Sequence, residues 1–241
     1  MKQYEQVIKI MRENNGYATL SYLNRFVDVS EWKTRTPYAS IRRIVQDERF
    51  FFKIKPGLWA LKEYREQILK NFKIDENNTK NEKDDFSHSY FQGLLVEIGK
   101  MKGFTTYIPP QDKNKKFLNE SLGKIADTTE IFNFSYYTFV KRAKTIDVIW
   151  FNERNMPSSF FEVEHSTDIQ NSLIKFYDLQ DFFSGFYIVS SKDRKKEFYS
   201  KINRDIFKSL KERVNFLDYE YIANLHVKTS ELFSVGGLLQ D

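Results

Sequence analysis

The chain contains no cysteine, which excludes disulfide cross-links, thiolate zinc sites and thiol nucleophiles. Histidine is nearly as scarce: His88, His165 and His226 are three among 241 residues, too few for a histidine-rich metal site. Long apolar runs are also missing. Residues 147–151 and 159–163 are among the longest and are only of strand length, far below the roughly 20 residues of a membrane helix, so no membrane association is expected. The first 20 residues show amphipathic helical periodicity without an apolar stretch or small-residue cleavage site, which argues against secretion and makes the cytoplasm the expected location. What is abundant is aromatic surface: 23 Phe, 14 Tyr and 3 Trp in a chain that is 41% hydrophobic supply enough buryable area for a core and a second small unit.

The net charge of +5 is unevenly placed. Residues 1–64 hold 12 Lys and Arg against 7 Asp and Glu, so the N-terminal quarter carries the whole excess and the rest is balanced. A module that neutralises phosphate, joined to a neutral body, has this distribution, and so does a chain with a plain lysine bias. Residues 71–85 contain only two apolar side chains, Phe72 and Ile74, and read as a flexible linker. The expected organisation is therefore a basic domain over 1–64, a linker over 65–85 and a second domain over 86–241.

In the first domain Tyr4, Val7, Ile8 and Met11 recur at helical spacing until Asn14-Asn15-Gly16. A second helix fits Leu20 to Phe26. A third starts with Thr36 as cap and Pro37 in the first turn, turns Ile41, Ile44 and Val45 inward, and leaves Tyr38, Ser40, Arg42 and Arg43 outside. Phe50 to Ile54 and Leu58 to Leu61 then flank Lys55-Pro56-Gly57 as a basic hairpin. Three helices and a hairpin with cations on the third helix and the wing make the layout of a winged helix-turn-helix, whose third helix enters the major groove while the wing meets phosphate. The run from Tyr17 to Leu61, ending Gly-Leu-Trp-Ala-Leu, resembles the HARE-HTH winged-helix module of some restriction endonucleases and chromatin proteins. The DNA-contacting residues this implies are Arg35, Tyr38, Ser40, Arg42, Arg43, Lys53 and Lys55. Winged helices also serve as protein-interaction modules, which is the alternative for this domain.

Beyond residue 86 helix and strand patterns alternate, an α/β arrangement. A helix fits His88 to Lys102, with Glu97 at the edge of its apolar stripe. Strands fit Phe104 to Ile108, Thr145 to Phe151, Ser159 to His165, Phe186 to Ser190 and Val214 to Tyr219, and helices fit Asp168 to Phe183 and Asp193 to Leu210. The stretch from Pro109 to Lys144 settles into no single period. Two strands hold the anomalies. Asp147 interrupts Thr-Ile-Asp-Val-Ile-Trp-Phe, and a buried unpaired charge is costly enough to require a partner. In Phe160-Phe161-Glu162-Val163-Glu164-His165 the two glutamates share a face about 7 Å apart and repel unless something cationic lies between them. If the strands are neighbours, Asp147 completes a three-carboxylate cluster of the hard oxygen kind that suits Mg²⁺. An edge strand with a solvated acidic face is the alternative.

The order helix with Glu, strand with Asp, strand with Glu-x-Glu, then helix, strand and helix resembles the PD-(D/E)XK superfamily of restriction-endonuclease-like nucleases. The resemblance implies a mixed sheet flanked by helices, Asp147 as the motif Asp, Glu162 as the second acid, Glu164 where the family usually has Lys, and Glu97 as the acidic residue of the first core helix. Ile146 replaces the usual Pro. It further implies Mg²⁺, or Mn²⁺, held by Asp147, Glu162, the Val163 carbonyl and Glu97, with Glu164 positioning the attacking water; His165 and Lys175 are the other residues that could stand in for the lysine. The activity implied is hydrolysis of double-stranded DNA by a type II restriction endonuclease, acting as a homodimer beside a cognate DNA methyltransferase. A modification-dependent nuclease, a DNA-binding regulator with an inactive nuclease fold and a Holliday-junction resolvase are the alternatives.

Overall fold

The computed structural model describes residues 1–237; residues 238–241, the end of the expected second domain, lie outside the described residues. The chain divides into two compact units. One is formed by Met1–Lys83 with the chain from Ala223 onward, the other by Asp84–Ile222.

The first unit is built from α1 (Gln3–Glu13), β1 (Tyr17–Thr19), α2 (Leu20–Phe26), α3 (Pro37–Ile44), β2 (Phe51–Lys55), β3 (Leu58–Leu61) and α4 (Arg65–Asn71). α1 buries Val7, Ile8 and Met11 and ends where Asn15 and Gly16 take positive φ, as the Asn-Asn-Gly run implies. α2 is capped by Thr19, whose hydroxyl accepts the Tyr22 N–H at 3.1 Å. α3 has Pro37 at its start, but the Thr36 side chain makes no capping bond, contrary to expectation. β2 and β3 form an antiparallel hairpin through Gly57 at φ 77°, and β1 pairs with the other edge of β3, giving the order β1-β3-β2. Val7, Met11, Leu23, Ile41, Val45, Phe51 and Leu61 make the core between the helices and this sheet.

The segment read as a linker carries α4 and the start of α5 (Lys80–Met101). Its polar composition conceals a reciprocal cap: the Glu82 N–H donates to the Thr79 hydroxyl at 3.3 Å, and the Thr79 N–H donates to the Glu82 carboxylate at 3.0 Å. Local hydrogen bonds, rather than burial, begin this helix.

The second unit follows α5 with β4 (Thr105–Tyr107), β5 (Lys116–Phe117), β6 (Glu120–Ser121), α6 (Leu122–Ile125), α7 (Tyr137–Ala143), β7 (Val148–Phe151), β8 (Pro157–Glu164), α8 (Ile169–Asp178), β9 (Gly185–Ser190), α9 (Lys195–Ile202) and β10 (Val214–Asp218). The main sheet is mixed, in the order β10-β9-β8-β7-β4. β8 lies in the middle, parallel to β9 and antiparallel to β7. Ile149, Phe160, Phe186 and Ile188 pack against Leu173 and Phe176 of α8 and Phe198 and Ile202 of α9. The helix expected over Asp193 to Leu210 breaks into α9 and a 3-10 turn at Asp205–Leu210, and the one expected to reach Phe183 stops at Asp178.

A final helix, α10 (Tyr219–Gly237), was not legible in the hydrophobic pattern. From Ala223 it belongs to the first unit: Val227 joins that unit's core, and His226 Nδ1 lies 2.9 Å from the buried Ser21 hydroxyl. Among the described residues no helix is long and apolar enough to cross a membrane.

Candidate active site

The β7–β8 ladder runs to the Val148–Phe161 pair, and continuing that register sets Asp147 opposite Glu162 at one end of the sheet. Past the last pair, the Val163 N–H has no β7 carbonyl to reach, and it donates instead to Asp147 Oδ2 at 2.8 Å. Strand alternation turns Glu162 and Glu164 to the same face, under α8. The Ser172 hydroxyl of α8 lies 3.0 Å from Glu162 Oε2 and also contacts Glu164, which accepts a second bond from Thr167. Three residues further along α8, the Lys175 ammonium donates to the two Glu162 oxygens at 2.9 and 2.8 Å and to the Thr145 carbonyl at 2.9 Å. The structure thus brings Asp147, Glu162, Glu164 and Lys175 together, although they come from three elements.

Burial makes this group electrostatically tense. Glu162 and Glu164 are 2% and 4% exposed in the middle strand of the sheet. Burial and the Asp147 charge push the Glu162 carboxyl well above its ordinary range, against the opposing pull of Lys175. Glu164 is pushed up too, by burial first, with Ser172 and Thr167 offsetting part of it. Asp147 goes the other way: burial would raise it, but His88, Lys175 and the Val163 N–H outweigh burial and hold it below its ordinary value. Lys175 would lose its proton more easily on burial, yet Glu162 and its acidic neighbours hold the proton on. With all three acids ionised, the single adjacent ammonium would leave a negative excess that a divalent cation would neutralise, in place of the protons that burial favours.

A second layer approaches Asp147 from α5 and the loop after β4. His88 Nε2 lies 3.5 Å from Asp147 Oδ1. One turn on, buried Gln92 donates from Nε2 to Asp112 Oδ2 at 2.8 Å and to the Asp147 carbonyl at 3.2 Å. Asp112 is itself 5% exposed and pairs with Lys115 at 2.8 Å. One donor atom from each of His88, Asp112 and Asp147 lies within 4.8 Å of the others, close enough to hold one metal ion. Sequence reasoning missed Gln92 and Asp112: Gln92 carries no anomaly on a helix, and Asp112 sits in the segment without a period. His88 was visible only as a scarce residue.

Glu97 lies on another face of α5. It follows His88 by nine residues, half a turn round α5, and its charge acts on Tyr90 on the other side of the helix. His165 is directed elsewhere as well: its ring pairs with Asp84 Oδ1 at 2.9 Å and with the Tyr219 hydroxyl at 3.1 Å, so it cannot take the lysine's place beside Glu162. In the first unit Arg35, Arg42, Arg43 and Lys53 are exposed and Lys55 is half-buried. Tyr38 packs partly on the core. Ser40 departs from expectation: it is 4% exposed, and its hydroxyl donates to the Thr36 carbonyl at 3.2 Å, because α3 turns that position toward the unit's interior.

The chain itself belongs to a known class. The model of the type II restriction enzyme NmeDI C-terminal domain matches residues 69–238, and the chain belongs to that family. The type II restriction enzyme NmeDI of Neisseria meningitidis serogroup C is 28% identical over 136 residues, which cover 51% of this chain and 38% of that enzyme. The chain therefore spans well under half of the relative's length. No solved structure matches the chain.

Proposed function

We propose that the protein is a divalent-metal-dependent endonuclease that cleaves double-stranded DNA, a type II restriction endonuclease of the PD-(D/E)XK kind. The observation that carries this reading is the meeting of Asp147, Glu162 and Glu164 at one end of the sheet with Lys175 bonded to Glu162. Family membership with a restriction-enzyme domain supports it.

The donor type suits a hard cation: buried Glu162 and Glu164 carry carboxylate oxygens, and Asp147 lies near enough for its charge to act on both. Asp147 and Glu162 would hold Mg²⁺ or Mn²⁺, with the Val163 carbonyl beside them; Glu97 has no part in this reading. When bound, the ion supplies water activation and charge neutralisation at the phosphodiester. The chain's own contribution is positioning. The Val163 N–H fixes the Asp147 carboxylate, and Ser172 fixes Glu162 and Glu164 relative to each other. Lys175 keeps its proton beside Glu162, at the place where an ammonium can orient a water and meet charge growing on phosphate. Lys175 is thus better placed than Glu164 or His165 for the role of the missing motif lysine.

In the same reading the N-terminal unit is a winged helix of the HARE-HTH type. Its antiparallel β2–β3 hairpin and the exposed Arg42 and Arg43 on α3 support DNA contact by the third helix and the wing. A homodimer would cut both strands, and a methyltransferase of matching specificity would protect the host.

The test is digestion of supercoiled plasmid with Mg²⁺ and with Mn²⁺, followed by sequencing of the ends. Linear products with uniform ends are expected. Plasmid that stays supercoiled across both ions and several salt concentrations, while gel shifts report binding, would overturn the nuclease reading.

A further inference from the structure

The face of α5 that meets the Asp147 end of the sheet carries His88 and Gln92 at the i, i+4 spacing that stacks side chains. Gln92 is fully buried, and among the described residues its Oε1 has no hydrogen-bond partner. The amide cannot be turned to cure this. Its other half faces the Asp112 carboxylate and the Asp147 carbonyl, both acceptors, so the NH₂ group must point there and the oxygen must remain without a donor. A buried orphan acceptor normally has an unseen partner, such as a bound water or ion.

The two residues on the NH₂ side of this amide, Asp112 and Asp147, sit beside a third potential ligand, His88. His88 Nε2 and Asp147 Oδ1 are 3.5 Å apart, close to the spacing that two donors keep when each is about 2.1 Å from one ion. Asp112 retains lone pairs beyond those used by Lys115 and Gln92. Partial exposure of the His88 and Asp147 side chains leaves a way in.

We infer that His88, Asp112 and Asp147 form a divalent-metal site of their own, held in place by the Gln92 amide that donates to Asp112 and to the Asp147 carbonyl, and that the imidazole makes it favour a first-row transition ion such as Mn²⁺ over Mg²⁺. Mg²⁺ takes nitrogen donors poorly, and neither Glu162 nor Glu164 is needed to complete the set. The site shares Asp147 with the proposed nuclease centre; any part it plays in cleavage rests on that reading, while binding of the ion does not.

The test loads the full chain with Mn²⁺ and records pulsed electron paramagnetic resonance. Imidazole ¹⁴N coupling to the ion is expected in the wild type and is lost in His88→Ala, or in His88→Gln should the first variant fail to fold. Mn²⁺ affinity should fall in the same variant by at least the roughly tenfold that loss of an outer-shell partner already costs, while Mg²⁺ affinity changes less. A wild type without nitrogen coupling, or a His88 variant that retains it, would overturn the site. Plasmid digestion run in parallel separates the two readings: cleavage without coupling sinks this inference and spares the nuclease, and coupling without cleavage does the reverse.

Discussion

The Lys175 ammonium sits 2.9 and 2.8 Å from the two carboxylate oxygens of Glu162, thirteen residues earlier in the chain. The pair is buried on the carboxylate side, at 3% exposure, and only partly open on the lysine side, at 24%. The helix after the strand thus delivers to Glu162 an ammonium that the strand position two residues on, occupied by Glu164, does not supply.

Lys175→Met therefore has two expected consequences. Plasmid cleavage should drop by at least about a hundredfold, the usual scale for one preorganised charged donor, with DNA affinity nearly unchanged. Thermal unfolding should reveal a loss of about 3 kcal/mol, because Glu162 is left buried without its counter-ion. Cleavage at the wild-type rate would remove Lys175 from the mechanism.

Glu162→Gln should abolish cleavage and leave DNA binding intact or tighter, since it lowers repulsion of phosphate at the site. Fluorescence anisotropy with a labelled duplex measures the binding side. A large loss of affinity would assign Glu162 a structural role instead.

Glu164 yields a pH prediction. Its folded-state pKa is raised, chiefly by burial, so the protonated form is favoured on folding. Its contribution to stability is greatest below the ordinary carboxylate pKa and is lost as pH rises through the raised folded value. In metal-free buffer, melting temperature against pH from 4 to 8 should fall less steeply for Glu164→Gln than for the wild type. Parallel curves would contradict the assignment.

Exposed Arg42 and Arg43 lie in the last turn of α3. If both meet phosphate, the double substitution to Ala should weaken binding and reduce the slope of log affinity against log salt by roughly 2, about 0.9 for each phosphate released. An unchanged slope would move the DNA contact to another face.

His226 tests the return of the C-terminal helix to the first unit. Its ring meets the buried Ser21 hydroxyl, and Val227 beside it lies in the core of helices α1 to α3. His226→Ala should cost about 1–3 kcal/mol, the range for leaving a buried polar group unsatisfied, and urea unfolding is the measurement. No change in midpoint would show the Ser21 contact to be dispensable.

Much of the fold was legible in the sequence because burial patterns repeat locally. Leu20 to Phe26 is α2 with the bounds its apolar spacing predicts, and β9 differs from its expected span by a single residue. Asp147, Glu162 and Glu164 stood out because a charge in an apolar strand has an unfavourable solvation energy that can be recognised from its neighbours alone. Ordering of the polar stretch before α5 escaped notice, since it depends on the Thr79–Glu82 cap rather than on apolar surface.

The sequence by itself pointed to Glu162 and Glu164 as buried acids on one strand and to Asp147 as their neighbour, but not to buried Asp112. Only the tertiary structure decided what meets them: Lys175 rather than His165, and His88, Gln92 and Asp112 rather than Glu97. The reason is physical. Periods of 2 and 3.6 residues tell which way a side chain faces within its own element, whereas the partner it meets depends on strand register and on the angle at which a helix crosses the sheet, and those follow from packing the whole core.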